Sequence, residues 1–201
     1  MRRIVIASNN PGKLRELRAL LAPLGFDAVD QGELGVAEAA EPHATFVENA
    51  LAKARHAARA TGLAALADDS GLCVAALGGE PGVHSAYFAG REGSREERDA
   101  RNNAKLVAAL RDARDRSAFY YCALVLARSV DDPTPVIADG AWHGAIEPDA
   151  RGANGFGYDP YFVPEGLRLT AAELPAGEKN RVSHRARALA ALAQKLSVGR
   201  G

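Results

Sequence analysis

The run AFYYCALVLA, residues 118–127, is the longest strand candidate in the chain and reads as the centre of a sheet. A central strand needs partners on both edges and cover on its faces, so the remaining sequence must supply strands and helices around it. RIVIA (3–7) is a short β-branched strand, broken by SNNPGK. A helix follows through about Leu21, with Leu14, Leu17, Leu20 and Leu21 on one face and Pro23 and Gly25 as its stop. FDAV (26–29) is a second strand candidate, and 30–44 reads as loop. Thr45 and Glu48 form a capping box that opens a helix to about Thr61, with Gly62 behind it. LAALA (63–67) and LCVAAL (72–77) are strand-like runs on either side of DDSG. Ser94 and Glu97 cap another helix, to about Arg111. PVIADGAWHGAIE reads as one or two strands, DARGANGFGYDPYF (149–162) as a long glycine-bearing loop, and Ser183 as the cap of a last helix to about Leu196. Strands and helices alternate early and strands cluster late, which predicts an α/β fold with a mixed sheet and flanking helices. No linker or repeat interrupts it, so one domain is expected over 1–201.

Composition narrows the function. Twenty-five basic residues balance twenty-five acidic ones, so no global field draws in nucleic acid or a membrane surface, and any anionic ligand must be held by local chemistry. The two cysteines, Cys73 and Cys122, sit in apolar runs without a CxxC partner, which fits buried thiols in a reducing compartment and argues against zinc. No apolar run approaches the ~20 residues of a membrane span. MRRIVIAS is too short for a signal-peptide core, so a cytoplasmic protein is expected.

Several short stretches carry chemistry. In SNNPGK, Asn10 is a good N-cap and Pro11 suits the first helical position. Lys13 then falls in the first turn, where the helix dipole disfavours a cation; an anion bound there would reverse that, and a capped helix with a solvated lysine is the plainer alternative. Asp68 and Asp69 are neighbours in an extended segment, so they point opposite ways and cannot both face one ligand. One inward carboxylate with help from Glu41, Glu38 or Glu48 would satisfy Mg²⁺, which takes one or two carboxylates plus water and substrate phosphates. A hairpin turn at DDSG is the alternative. In NGFGYDP, Phe156 or Tyr158 can stack on a base, or merely pack. EKNRVSHR gathers Lys179, Ser183, His184 and Arg185 at the start of the last helix. The four histidines at 43, 56, 84 and 143 share no metal-ligand spacing and read as structural, and Trp142 reads as core. Glu96, Arg98, Asp99 and Arg101 read as a solvated helix face, while Asn102 and Asn103 are odd in mid-helix.

Taken in order, SNNPGK, TFVENALAKA, ADDSGL, GAWHGAI, GFGYDP and SHR resemble the inosine triphosphate pyrophosphatase family, and the likeness runs from Ser8 to Arg185. The resemblance implies an elongated mixed α/β molecule with two lobes around a central substrate cleft, usually a homodimer. It implies hydrolysis of ITP, dITP and XTP between the α and β phosphates, with Mg²⁺, to a nucleoside monophosphate and pyrophosphate. By likeness, Ser8, Asn9, Asn10, Pro11, Gly12 and Lys13 cradle the phosphates. Asp69 binds the metal and accepts the proton of the attacking water, with Glu41 or Asp68 supporting the ion, and Ser70 touches substrate. Phe156, Gly157, Tyr158 and Asp159 meet base and sugar, and Lys179, His184 and Arg185 complete the base pocket. One departure stands out: members commonly read SARYAG where this chain reads SAYFAG, with Tyr87 in the place of arginine. The rival readings are a Maf-like pyrophosphatase for modified pyrimidine nucleotides, against which GFGYDP and SHR argue, and a non-catalytic nucleotide sensor.

Overall fold

The computed structural model describes residues 2–198. Six strands and five helices follow one another as β1 (Arg2–Ile6), α1 (Pro11–Leu21), β2 (Phe26–Asp30), α2 (Phe46–Thr61), β3 (Ala65–Val74), α3 (Arg95–Ala109), β4 (Ser117–Ala127), β5 (Val136–Ile146), β6 (Phe162–Pro164), α4 (Ala176–Val182) and α5 (His184–Val198). The sheet order is β2-β1-β3-β4-β5-β6. β1 pairs in parallel with β2 and with β3, whereas β5 and β6 are antiparallel, so the sheet is mixed as expected. The run at 118–127 lies inside it, as β4.

The chain divides into two compact units. Among the described residues the first comprises 2–69, 122–140 and 184–198, and the second 70–121 and 141–183. Each has its own core. Ile4, Ile6, Leu17, Leu21, Leu66, Leu124, Leu189 and Leu192 close the first. Leu72, Leu106, Leu110, Trp142, Tyr158, Phe162 and Leu174 close the second, where Phe162 meets Tyr120 and Trp142 edge-on at ring separations of 4.8 and 5.4 Å. Burying each such side chain stabilises by roughly 1.5–3 kcal/mol relative to leaving it in water.

DDSG is not a turn. β3 runs unbroken from Ala65 to Val74, with Leu66 in the first core and Leu72 and Val74 in the second. A hairpin at Ser70–Gly71 would have folded both apolar runs back onto one core. Likewise PVIADGAWHGAIE forms one strand, not two. Gly140 within it lets α5 lie directly on the strand: a Cβ there would sit 2.5 Å from the His184 carbonyl oxygen and from the Ala188 nitrogen. The cap signals also hold. Ser94 and Glu97 complete a reciprocal capping box. Thr45 accepts from the Glu48 N–H, while its own hydroxyl donates to the Glu48 carboxylate at 2.5 Å. Ser183, expected to open the last helix, stands at the end of an extra short helix, α4, with α5 starting at the next residue.

Candidate active site

In the first unit the start of α1 is built as its sequence dictates. Asn10 caps the helix, its Oδ1 accepting from the N–H groups of Gly12 at 3.0 Å and Lys13 at 3.1 Å, and its own N–H donates to Ser8 Oγ at 3.2 Å. Two of the N–H groups that an anion would seek at this helix start are therefore already answered. The Lys13 ammonium is answered too, by Asp68 Oδ1 at 2.5 Å.

Asp68 and Asp69 take separate partners, as alternation along β3 requires. Asp68 is wholly buried among Lys13, Arg185 Nε at 2.8 Å and Cys122 Sγ at 3.1 Å, and the other arm of Arg185 pairs with Glu16. Burial works against the Asp68 charge, but the Arg185 guanidinium and the Lys13 ammonium outweigh it and hold the carboxyl well below its ordinary range. The neighbouring thiol of Cys122 is pushed up by burial and by Asp68. Arg185 is only 1% exposed, so its side chain is locked into this set.

Asp69 belongs to a different set. Its Oδ1 accepts from Lys53 Nζ at 2.8 Å and its Oδ2 from Asn49 Nδ2 at 3.3 Å. The same Lys53 ammonium reaches Glu41 at 2.7 Å, so two carboxylates converge on one cation. The Lys53 pKa is raised, since the two carboxylates outweigh its burial. The Asp69 carboxyl is also pushed up: burial opposes its charge, Lys53 only partly offsets that, and Glu41 adds repulsion. Of the candidate acidic partners, Glu48 is engaged in its helix cap and Glu38 is exposed, while Glu41 is the one that meets Lys53 beside Asp69. Among the described residues no group of three or more His, Cys, Asp or Glu side chains is arranged to hold a metal ion.

In the second unit the glycine-bearing loop is organised by Asp159. Its Oδ2 accepts from the Phe156 N–H at 2.8 Å and from Lys179 Nζ at 2.6 Å, and the Tyr120 hydroxyl bonds it as well. Gly155 makes room for this, because a Cβ there would lie 2.1 Å from Asp159 Oδ2. Phe156 stays half-buried, with the Lys179 ammonium 5.0 Å and the Arg95 guanidinium 4.8 Å from its ring centroid. Tyr158 is core instead: it is buried and its hydroxyl donates to the Ser85 carbonyl at 2.9 Å. Ser70 is half-buried in β3, and His184 is buried at the head of α5. Tyr87 lies under Arg91, whose guanidinium carbon stands 3.6 Å from the ring centroid.

The family model described as the Ham1 family matches residues 4–195 of the chain. The chain belongs to the Ham1 family. Its relatives include a dITP/XTP pyrophosphatase of Burkholderia pseudomallei, 64% identical over 96% of this chain and 93% of that protein. Another is a dITP/XTP pyrophosphatase of Ralstonia nicotianae, 62% identical over 98% of both. A solved Ham1 protein from Coxiella burnetii superposes with a TM-score of 0.88 at 46% identity, over 98% of this chain and 100% of that one. The resemblance drawn from the six motifs is thereby borne out. Within a Ham1 chain, several site residues gave no sequence signal by themselves. Lys53 and Asn49 are spaced i, i+4 among alanines on the buried face of α2, a pattern that reads as helix packing until Asp69 is placed opposite. Glu16 and Tyr120 give no local signal, since only Arg185 and Asp159, 169 and 39 positions downstream, make them partners.

Proposed function

We propose that this chain hydrolyses non-standard purine nucleoside triphosphates, ITP, dITP and XTP, to the monophosphate and pyrophosphate. The observation that carries the reading is the pair Asp69 and Glu41 sharing the single ammonium of Lys53. This set holds more negative than positive charge, so a further cation is electrostatically welcome beside it. The identity to dITP/XTP pyrophosphatases over almost the whole chain supports the substrate class.

The donor set fits Mg²⁺, which favours one or two carboxylates and completes its shell with water and phosphate oxygens. Asp69 and Glu41 would hold it, and its charge would offset that of the phosphates as the bond breaks. The chain's own residues do the rest. Ser8 to Lys13 and Lys53 receive the phosphates. Asp69 takes a proton from the attacking water, whose oxygen bonds the α-phosphorus while the bond to the bridging oxygen breaks and pyrophosphate leaves. Positioning and charge suffice for such a transfer, with no covalent nucleophile. Phe156 stacks on the base, Gly157, Asp159 and Lys179 are assigned to base and sugar, His184 to the base, and Ser70 to substrate contact. The Arg185 guanidinium is engaged by Asp68 and Glu16, so the donor to the purine 6-oxo group is assigned to a backbone N–H. Adenine presents an amino donor there, and a donor left facing a donor costs orders of magnitude in rate. No helix among the described residues is long and apolar enough to cross a membrane. A cytoplasmic homodimer acting on the nucleotide pool completes the proposal.

The test is pyrophosphate release from ITP, dITP, XTP, GTP, ATP, dTTP and UTP, with Mg²⁺ or with EDTA. Release from ITP and XTP at least ~100-fold faster than from ATP, and abolished by EDTA, is expected. Preference for dTTP or UTP would move the protein to pyrimidine nucleotides, and binding without turnover would make it a sensor.

A further inference from the structure

Asn102 and Asn103 are poor helix formers in the middle of α3, and the structure gives them different tasks. Asn102 accepts from the Ala89 N–H at 2.7 Å and donates to the Ser85 carbonyl at 3.2 Å, which holds the turn before the helix. Asn103 donates from Nδ2 to the Gly157 carbonyl at 3.0 Å. Asp99, one turn earlier and expected in solvent, accepts from the Gly157 N–H at 3.1 Å. Arg95, one turn earlier again, stands beside the Phe156 ring. Positions i, i+4 and i+8 lie on one helix face, so a single stripe of α3 addresses two consecutive loop residues.

The bonds fall on the peptides that flank Phe156. Asp159 holds its N–H, and with it the peptide before the residue. Asp99 holds the peptide after it, and Asn103 the next one along, at a glycine whose φ is +62°. With the planes on both sides of Phe156 tied, the direction of its Cα–Cβ bond is set. Asn103 carries a penalty for this: its Oδ1 is buried without a hydrogen-bond partner among the described residues. An apolar side chain would avoid that penalty, so packing alone does not explain an amide here.

We propose that Asp99 and Asn103 are positioning residues for base recognition: they clamp Gly157 from both sides and thereby aim the Phe156 ring. The proposal rests on the reading that this loop meets the purine. It also separates two kinds of failure, because the clamp bears on the base and not on the phosphates. The experiment compares wild type with Asp99→Ala, Asp99→Asn and Asn103→Ala, measuring kcat and KM for ITP and for ATP, thermal stability, and hydrogen exchange of the 155–158 amides. Asp99→Ala and Asn103→Ala are expected to raise KM for ITP about 10-fold, to leave kcat within about 3-fold, and to lower the ITP-to-ATP ratio of kcat/KM about 10-fold, the size of a lost buried hydrogen bond. Exchange at 155–158 should quicken in both. Asp99→Asn keeps an acceptor for the Gly157 N–H and should restore the wild-type ratio and protection. Asp99 is only partly buried, so its truncation leaves the core intact whatever Asn103→Ala does. An unchanged ITP-to-ATP ratio in Asp99→Ala, or equal losses of kcat on both nucleotides, overturns the proposal. A wild type indifferent to the base overturns the reading of the site itself, and the clamp's role with it.

Discussion

Asp68 and Asp69 are covalent neighbours in one strand, yet the regions around them are built to opposite rules. Around Asp68 two carboxylates, Asp68 and Glu16, meet two cations, Lys13 and Arg185, and the central aspartate is fully buried. Around Asp69 two carboxylates meet the one ammonium of Lys53, and Glu41 remains about a third exposed. A buried charge is tolerable when its partners match it, and removing one partner is then strongly destabilising. Asp69 is instead held raised by its burial, which Lys53 only partly offsets and to which Glu41 adds repulsion, so it stays receptive to a proton or a cation. The first region therefore ties α1, β3 and α5 together, with Lys13 as its one group also assigned to the phosphates, and the second is where activation of the water is assigned.

The comparison can be broken at either side. The largest effect is expected from Asp69→Asn, which removes the proton acceptor: turnover of ITP should fall about 1,000-fold, within the range for general bases, while the melting temperature changes little. Activity assay and thermal scan on the same preparation check both halves, and unchanged turnover would remove Asp69 from the mechanism. Asp68→Asn should do the reverse. It leaves the Arg185 guanidinium buried against fewer charges and should lower stability by about 3–5 kcal/mol in denaturant titration, with activity surviving in the fraction that folds. Lys53→Gln sharpens the contrast. With the ammonium gone, the Asp69–Glu41 pair should bind added cation more tightly, so at one common Mg²⁺ concentration, ~100 times the variant's dissociation constant, the variant should gain about 2.7 kcal/mol of stability and wild type less. A wild-type-sized response would show that the charge surplus is not felt. The smallest effect belongs to a control outside both regions. Asp132 accepts from the N–H groups of Arg128 and Thr134, both at 2.9 Å, and Asp132→Ala should cost about 1 kcal/mol in the same titration with kcat unaltered.

Much of this was legible in the sequence wherever the signal is local. Asn10 and Pro11 start α1 and Ser94 starts α3 because caps and fixed φ act within one turn. The opposite facing of Asp68 and Asp69 followed from strand alternation alone. Local chemistry misled at Ser70–Gly71, where turn-forming residues lie inside a continuous strand because the runs on either side belong to different cores. The site was legible through its motifs but not through its pairings. Lys53 looks like any helix lysine until Glu41 and Asp69 close on it. Asp99 looks like a solvated carboxylate until Gly157, 58 positions away, offers its N–H. Arg185 shows no sequence sign of its partners either, because Asp68 and Glu16, which engage its Nε and Nη1, lie 117 and 169 positions away.

The claim that the Asp69 set accommodates a divalent cation is tested most directly by titrating Mg²⁺ into pyrophosphate release from ITP, with wild type and Glu41→Gln side by side. The account predicts that Glu41→Gln needs about 10-fold more Mg²⁺ for half-maximal rate, a loss of ~1.4 kcal/mol in cation affinity, and approaches the wild-type rate at saturation. Coincident Mg²⁺ dependences for the two proteins would contradict it.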